Sequence, residues 1–151
     1  MRNTLAPRFG RRCVSPACRT PTICVVDPQA EDYQGWDSLA RTNGAQLKIF
    51  ATAEEALRYS RDHDADLWVV NATLPGLSGF ELTSMLKARS AHTAVYLVAD
   101  HYTPAIECLA WQSRATFFGC KPAHGEWLRQ WLDRRSSQLA PASTATLRSS
   151  I

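Results

Sequence analysis

No stretch of this 151-residue chain approaches the ~20 consecutive apolar residues that cross a bilayer, which excludes a membrane-spanning helix. The N-terminus is basic, but it lacks the apolar core of about 7–15 residues that marks a secretory leader. A cytoplasmic protein is expected. The five cysteines are an odd number and lack the dense spacing of a disulfide framework. Cys24 and Cys120 lie in apolar surroundings and read as small core residues. Cys13 and Cys18 sit in a Pro/Arg-rich segment, and no second Cys/His pair follows at finger spacing, so unpaired thiols rather than a metal site are expected there. Internal repeats are absent. No helix-turn-helix or enzymatic segment is seen after residue 135, so a stand-alone unit is expected.

Acids are missing from residues 1–20, which carry five arginines. From Asp133 onward the balance is again basic, +2, leaving −4 for residues 21–132. A folded acidic part with basic ends is thus expected. The N-terminal arm has no interleaved aromatics beyond Phe9 and no amphipathic period, so a solvated, disordered arm is expected over nucleic-acid binding. The organisation read from this is a basic arm over 1–20, a folded domain over 21–135 and a flexible tail over 136–151.

What the chain does have is 45% hydrophobic residues, enough for one core, arranged in alternating runs. Apolar runs at Thr22–Asp27, Gln46–Ala51, Leu67–Val70, Ala94–Ala99 and Thr116–Gly119 read as strands. Between and after them, helices are expected over Ala30–Thr42, from Ala53 to about Asp62, Gly79–Arg89, from Pro104 to about Trp111 and His124–Gln138. Three carry start signals: Thr52 with Glu55 as a capping box, Ser78 as an N-cap, and Thr103 before Pro104. Asn43-Gly44 supplies a stop. Gly35 falls inside the first helix, at a cost of up to ~1 kcal/mol against alanine. Five strands alternating with five helices predict an α/β fold with a doubly wound, five-stranded parallel sheet. All strand ends then share one edge, where ligands and chemistry sit in such sheets. Asp27, Asn71, Ala99 and Lys121 converge there.

With those residues placed, the chain resembles the receiver domain of two-component response regulators over about residues 21–135. Three pieces carry the resemblance: a strand ending in an acid (VVD), the run N-A-T-L-P-G-L-S-G-F-E-L after the third strand, and FFGCKP. The resemblance implies the (βα)5 flavodoxin-like fold and a signalling module that is not an enzyme. It also implies a pocket in which an aspartate accepts a phosphoryl group from a histidine kinase, two acids help bind Mg²⁺, a hydroxyl and a lysine contact the phosphoryl oxygens, and an aromatic follows the hydroxyl. By that correspondence the acceptor position is Asn71, the acid pair is Asp27-Pro28, the hydroxyl position is Ala99, the lysine is Lys121 and the switch aromatic is Phe118.

An amide is neutral and a poor nucleophile, so Asn71 removes the reaction while keeping the shape. Mg²⁺ prefers anionic oxygen ligands, and Asp27 with Lys121 sums to zero charge. A metal-free pocket is expected, with no cofactor and no catalytic residue, in which Lys121 pairs with Asp27 and donates to the Asn71 side-chain oxygen. Function would then lie in protein–protein interaction: a pseudo-receiver meeting a histidine kinase, another receiver, an output protein or a second copy. In the family the fourth helix, fifth strand and last helix form the partner face, and here that region holds Trp111, Trp127 and Trp131. A working phosphorelay receiver with an unusual pocket is the competing reading. A flavodoxin-like small-molecule binder is another, but Pro28-Gln29-Ala30-Glu31 is no phosphate loop. Asp27-Pro28-Gln29 also lacks the second aspartate of a haloacid-dehalogenase-type phosphatase.

Overall fold

The computed structural model describes residues 19–138. The expected arm up to residue 18, with Cys13 and Cys18, and the tail from residue 139 lie outside the described residues. The strands are β1 (Thr22–Val26), β2 (Gln46–Phe50), β3 (Leu67–Asn71), β4 (Ala94–Ala99) and β5 (Phe117–Cys120). The α-helices are α1 (Trp36–Thr42), α2 (Ala53–Asp62), α3 (Gly79–Arg89), α4 (Pro104–Gln112) and α5 (Gly125–Gln138). The strands form one parallel sheet in the order β2-β1-β3-β4-β5. The chain leaves β1 toward β2 and then crosses back to β3, so the crevice between β1 and β3 is the switch point of the sheet.

The β1 and β3 side chains are apolar on both sheet faces because helices cover both. One face buries Cys24, Val26, Trp68, Val70 and Leu97 under Ala53, Ala56, Leu82, Leu86 and Ala110 of α2, α3 and α4. The other buries Ile23, Val25, Leu67, Val69, Tyr96 and Val98 under Trp36 and Ala40 of α1 and Leu128 and Leu132 of α5. Burial pushes the Cys24 thiol up to about 12, as expected of an inert core cysteine.

One element departs from expectation in a way that shapes the site. The first helix is not continuous over 30–42. Gly35 adopts a left-handed φ of 88°, which ends a 3-10 turn at Ala30–Tyr33 and caps a new start at Trp36. Glycine reaches that conformation without a Cβ penalty, so the sequence signal that counted against the helix is the one that breaks it. The break turns Asp32 and Tyr33 toward the sheet edge, and Tyr33 stacks edge-on against Trp36 with ring centres 5.1 Å apart. The start of α3 is as expected, with Ser78 as its N-cap. Ser78 and Glu81 form a full capping box, with Glu81 N–H donating to Ser78 Oγ at 3.2 Å and Ser78 N–H to Glu81 Oε1 at 3.1 Å. At α2 the pairing is partial: Thr52 Oγ1 accepts from Glu55 N, but Glu55 Oε1 accepts from Ala51 N instead of Thr52 N. The last helix ends at Gln138, as expected.

Candidate functional site

The β1–β3 register pairs Val26 with Val70, so the next residues, Asp27 and Asn71, come side by side at the carboxyl edge. Ala99 ends β4, and its carbonyl accepts from Lys121 N–H at 2.8 Å, which brings the lysine over the same crevice. The four expected residues thus meet. Asp27, Asn71 and Ala99 are all buried.

Asp27 is fully engaged. Its Oδ1 accepts from Gln29 N–H at 2.9 Å. Its Oδ2 accepts from Tyr33 O–H at 3.0 Å, Asn71 Nδ2 at 3.1 Å and Lys121 Nζ at 2.9 Å. Burial beside Asp27 holds the Tyr33 phenol well above the ordinary tyrosine range, so it stays a donor. Asn71 is turned so that Nδ2 faces the carboxylates of Asp27 and Asp100, while Oδ1 accepts from Thr73 N–H at 2.8 Å.

Lys121 is the hub. Its ammonium lies 2.6 Å from Asp32, 2.9 Å from Asp27 and 3.3 Å from Asp100, and it also donates to Gln29 Oε1 at 3.2 Å. Burial alone would lower its pKa, but the hydrogen bonds to Asp32, Asp27 and Asp100 outweigh that and raise it.

Three corrections to the sequence reading follow. Lys121 pairs with Asp27 as expected, but it does not donate to the Asn71 oxygen, because Thr73 N–H already holds that atom. The pocket is not neutral: three carboxylates (Asp27, Asp32, Asp100) face one lysine, a formal sum of −2. Tyr33 belongs to the site as well as to the core. Asp100 follows Ala99 directly and was within reach of a strand-end argument. Asp32 and Tyr33 were hidden inside a helix that Gly35 interrupts. Among the described residues, no group of three or more His, Cys, Asp or Glu side chains is arranged to hold a metal ion.

Phe118 packs, half-buried, against the core face that holds Ala99, with the Tyr102 ring 6.4 Å away. The three tryptophans divide. Trp111 is 49% exposed. Trp127 and Trp131 are half-buried and pack on the α1/α5 side of the core, Trp127 with its ring 5.3 Å from Phe117 and Trp131 under the Arg135 guanidinium. They are therefore not free anchors on the surface. Tyr102 is also exposed, and so is Leu109, two residues before Trp111 on α4 and therefore on a different face. Glu107 ties two of these rings, accepting from Tyr102 O–H at 2.7 Å and Trp111 Nε1 at 3.3 Å. Those hydrogen bonds hold its carboxyl below the ordinary glutamate value.

The family profile described as the response regulator receiver domain matches residues 23–133. No curated protein matches the chain. Among solved structures, the CheY-like receiver domain protein from Methanospirillum hungatei superposes with a TM-score of 0.69 at 18% identity, covering 80% of this chain and 99% of that one. The receiver domain of an HD domain-containing protein from Pseudomonas fluorescens gives 0.70 at 21% identity, covering 80% and 98%. The beryllofluoride-activated NtrC4 receiver domain dimer gives 0.69 at 17% identity, covering 79% and 98%. At these identities the superpositions speak to the fold.

Proposed function

The chain belongs to the response regulator receiver domain family, and from that premise we propose that it is a pseudo-receiver, a receiver fold whose phosphoryl-transfer pocket is closed and whose output is binding to another protein. The observation that carries this reading is the saturation of Asp27 Oδ2. A carboxylate oxygen offers about two lone pairs, and Oδ2 already takes three donors from Tyr33, Asn71 and Lys121. A divalent cation arriving there would meet an ammonium and an N–H instead of a free oxygen. The donor set therefore does not suit Mg²⁺, which demands near-octahedral oxygen ligands and sheds water reluctantly. Lys121 supplies the positive charge that a metal would otherwise bring, at the cost of occupying its place.

Asn71, at the acceptor position, presents a delocalised amide nitrogen to the crevice and has no anionic oxygen for in-line attack. Ala99 has no hydroxyl to follow a phosphoryl group and pull Phe118. The pocket is then a structural knot that holds β1, β3 and β5 together at their ends. The working-receiver and flavodoxin-like readings lose ground to the same atoms.

Binding through the α4 side fits the exposure of Trp111 and Tyr102. Two aromatic rings fixed by Glu107 lose little freedom on docking, which is what an interface anchor needs. The partner would be a histidine kinase, another receiver, an output protein or a second copy. The full chain incubated with acetyl phosphate and Mg²⁺ should show an unchanged intact mass at neutral pH. A phosphoryl adduct on a pocket carboxylate would overturn the reading in favour of a working phosphorelay receiver.

A further inference from the structure

The opposite edge of the sheet, where the strands begin, holds a cavity of about 420 Å³ between the end of α5 and the starts of β4 and β5. That volume falls in the range of small-molecule sites, roughly 300–1,000 Å³. We propose that it binds a small organic oxyanion carried on a flat ring.

The lining supports the class. Arg134 and Arg135, consecutive on α5, both border the cavity. The hydroxyl oxygen of Tyr96, itself 3% exposed, accepts from Arg134 Nη2 at 2.9 Å, which fixes the guanidinium without neutralising it. Among the described residues Arg134 has no carboxylate partner. Arg135 is held over the Trp131 ring at 5.6 Å and against Asp66 at 3.4 Å. Asp66 is the one acid of the lining, and it is already spent: Oδ2 accepts from Thr22 N–H, and Oδ1 faces both Arg19 and Arg135. The polar rim is thus rich in donors and poor in acceptors. Guanidinium groups in that state recognise phosphate or carboxylate through paired N–H donors.

One effect opposes the proposal. The end of α5 carries the negative pole of its dipole, about half a charge. Arg134 and Arg135 set against Asp66 leave a net charge of +1 in the lining, which outweighs it. The walls beyond the arginines are Trp131 and Phe117, apolar faces against which a ring can lie. This assignment is independent of the pocket at Asn71, which lies at the other end of the strands.

The test uses the ¹⁵N-labelled full chain titrated with adenosine 5′-monophosphate, with adenosine, inorganic phosphate and benzoate as separate arms. The expected result is saturable amide shifts at Tyr96, Trp131, Arg134 and Arg135 with the monophosphate or with benzoate. Which of the two binds more tightly identifies the oxyanion as phosphomonoester or aromatic carboxylate. Adenosine and phosphate alone should bind at least about tenfold more weakly. Arg134→Ala should weaken binding of the preferred probe by about tenfold or more. Arg135→Gln serves as a second variant, each with its fold checked by thermal melting. The proposal is overturned if neither the monophosphate nor benzoate binds saturably at millimolar concentration. It is also overturned if the shifts centre on Asn71 and Lys121, if phosphate alone binds as tightly, or if both folded variants bind like the native chain.

Discussion

Asp27 Oδ2 accepts from a phenol, an amide and an ammonium. Replacing Asn71 by aspartate would remove one donor and set a second carboxylate about 3.1 Å from the first. Asn71→Asp should therefore lose about 1–3 kcal/mol of stability, read as a lower urea midpoint, with part of the loss recovered by Mg²⁺. Lys121→Met leaves Asp27 buried and unpaired, with Asp32 and Asp100 alongside. A loss of about 3–5 kcal/mol is expected, together with a stabilisation by Mg²⁺ in the variant and none in the native protein. The pH dependence follows from the raised Lys121 pKa. A group whose folded pKa is raised gives its full stabilisation below its unfolded value, near 10.4, and loses it as pH climbs through the folded one. The stability gap between native protein and Lys121→Met should stay level from neutral pH to about pH 10 and shrink above it. Urea melts at a series of pH values check this, and a gap that closes near neutrality would contradict it.

The elements deliver those residues through two glycines. Gly79 opens α3 against the end of β3, and a Cβ there would press into the Asn71 carbonyl oxygen and lie 2.7 Å from Ala72 Cα. Both neighbours are backbone, so neither can swing aside. Gly79→Ala should lower the thermal midpoint by the equivalent of about 1–3 kcal/mol or more, although alanine is the better helix former. Gly35 has open space around it but a left-handed backbone. Gly35→Ala should cost about 1–2 kcal/mol through that conformation alone and loosen the turn that carries Tyr33 and Asp32. This is where the sequence was hardest to read. The strands, and the helix starts at Thr52, Ser78 and Thr103, were legible because periodicity and capping are local signals. Gly35 was visible only as a cost, since nothing local says whether a glycine sits in a helix or ends one.

At the scale of the whole molecule, the site is assembled from residues far apart in the chain. Lys121 and Asp32 are separated by 89 positions, so the number of acids around the lysine could not be counted without the turn after β1 and the end of β4 in place. Asp27, Asn71, Ala99 and Lys121 were legible as a convergence because all strand ends of a parallel sheet share one edge. Their hydrogen-bond partners were not, because an amide can turn either way until its neighbours are known. The tryptophans show the same limit: helix spacing put at least one of them on the core without deciding which, and the structure packs both Trp127 and Trp131 there. Trp127→Ala should cost about 2–3 kcal/mol, below the ~3–5 for a fully buried ring, because its ring packs over Gly119 and beside Phe117. Trp111→Ala should change stability by no more than about 0.5 kcal/mol and weaken partner or self-association in sedimentation. The proposal that the pocket is closed is tested most directly by titrating the ¹⁵N-labelled full chain with Mg²⁺ and beryllofluoride together. The amide signals of Asp27, Asn71, Ala99 and Lys121 should stay where they are. Saturable shifts at those four positions would contradict the account.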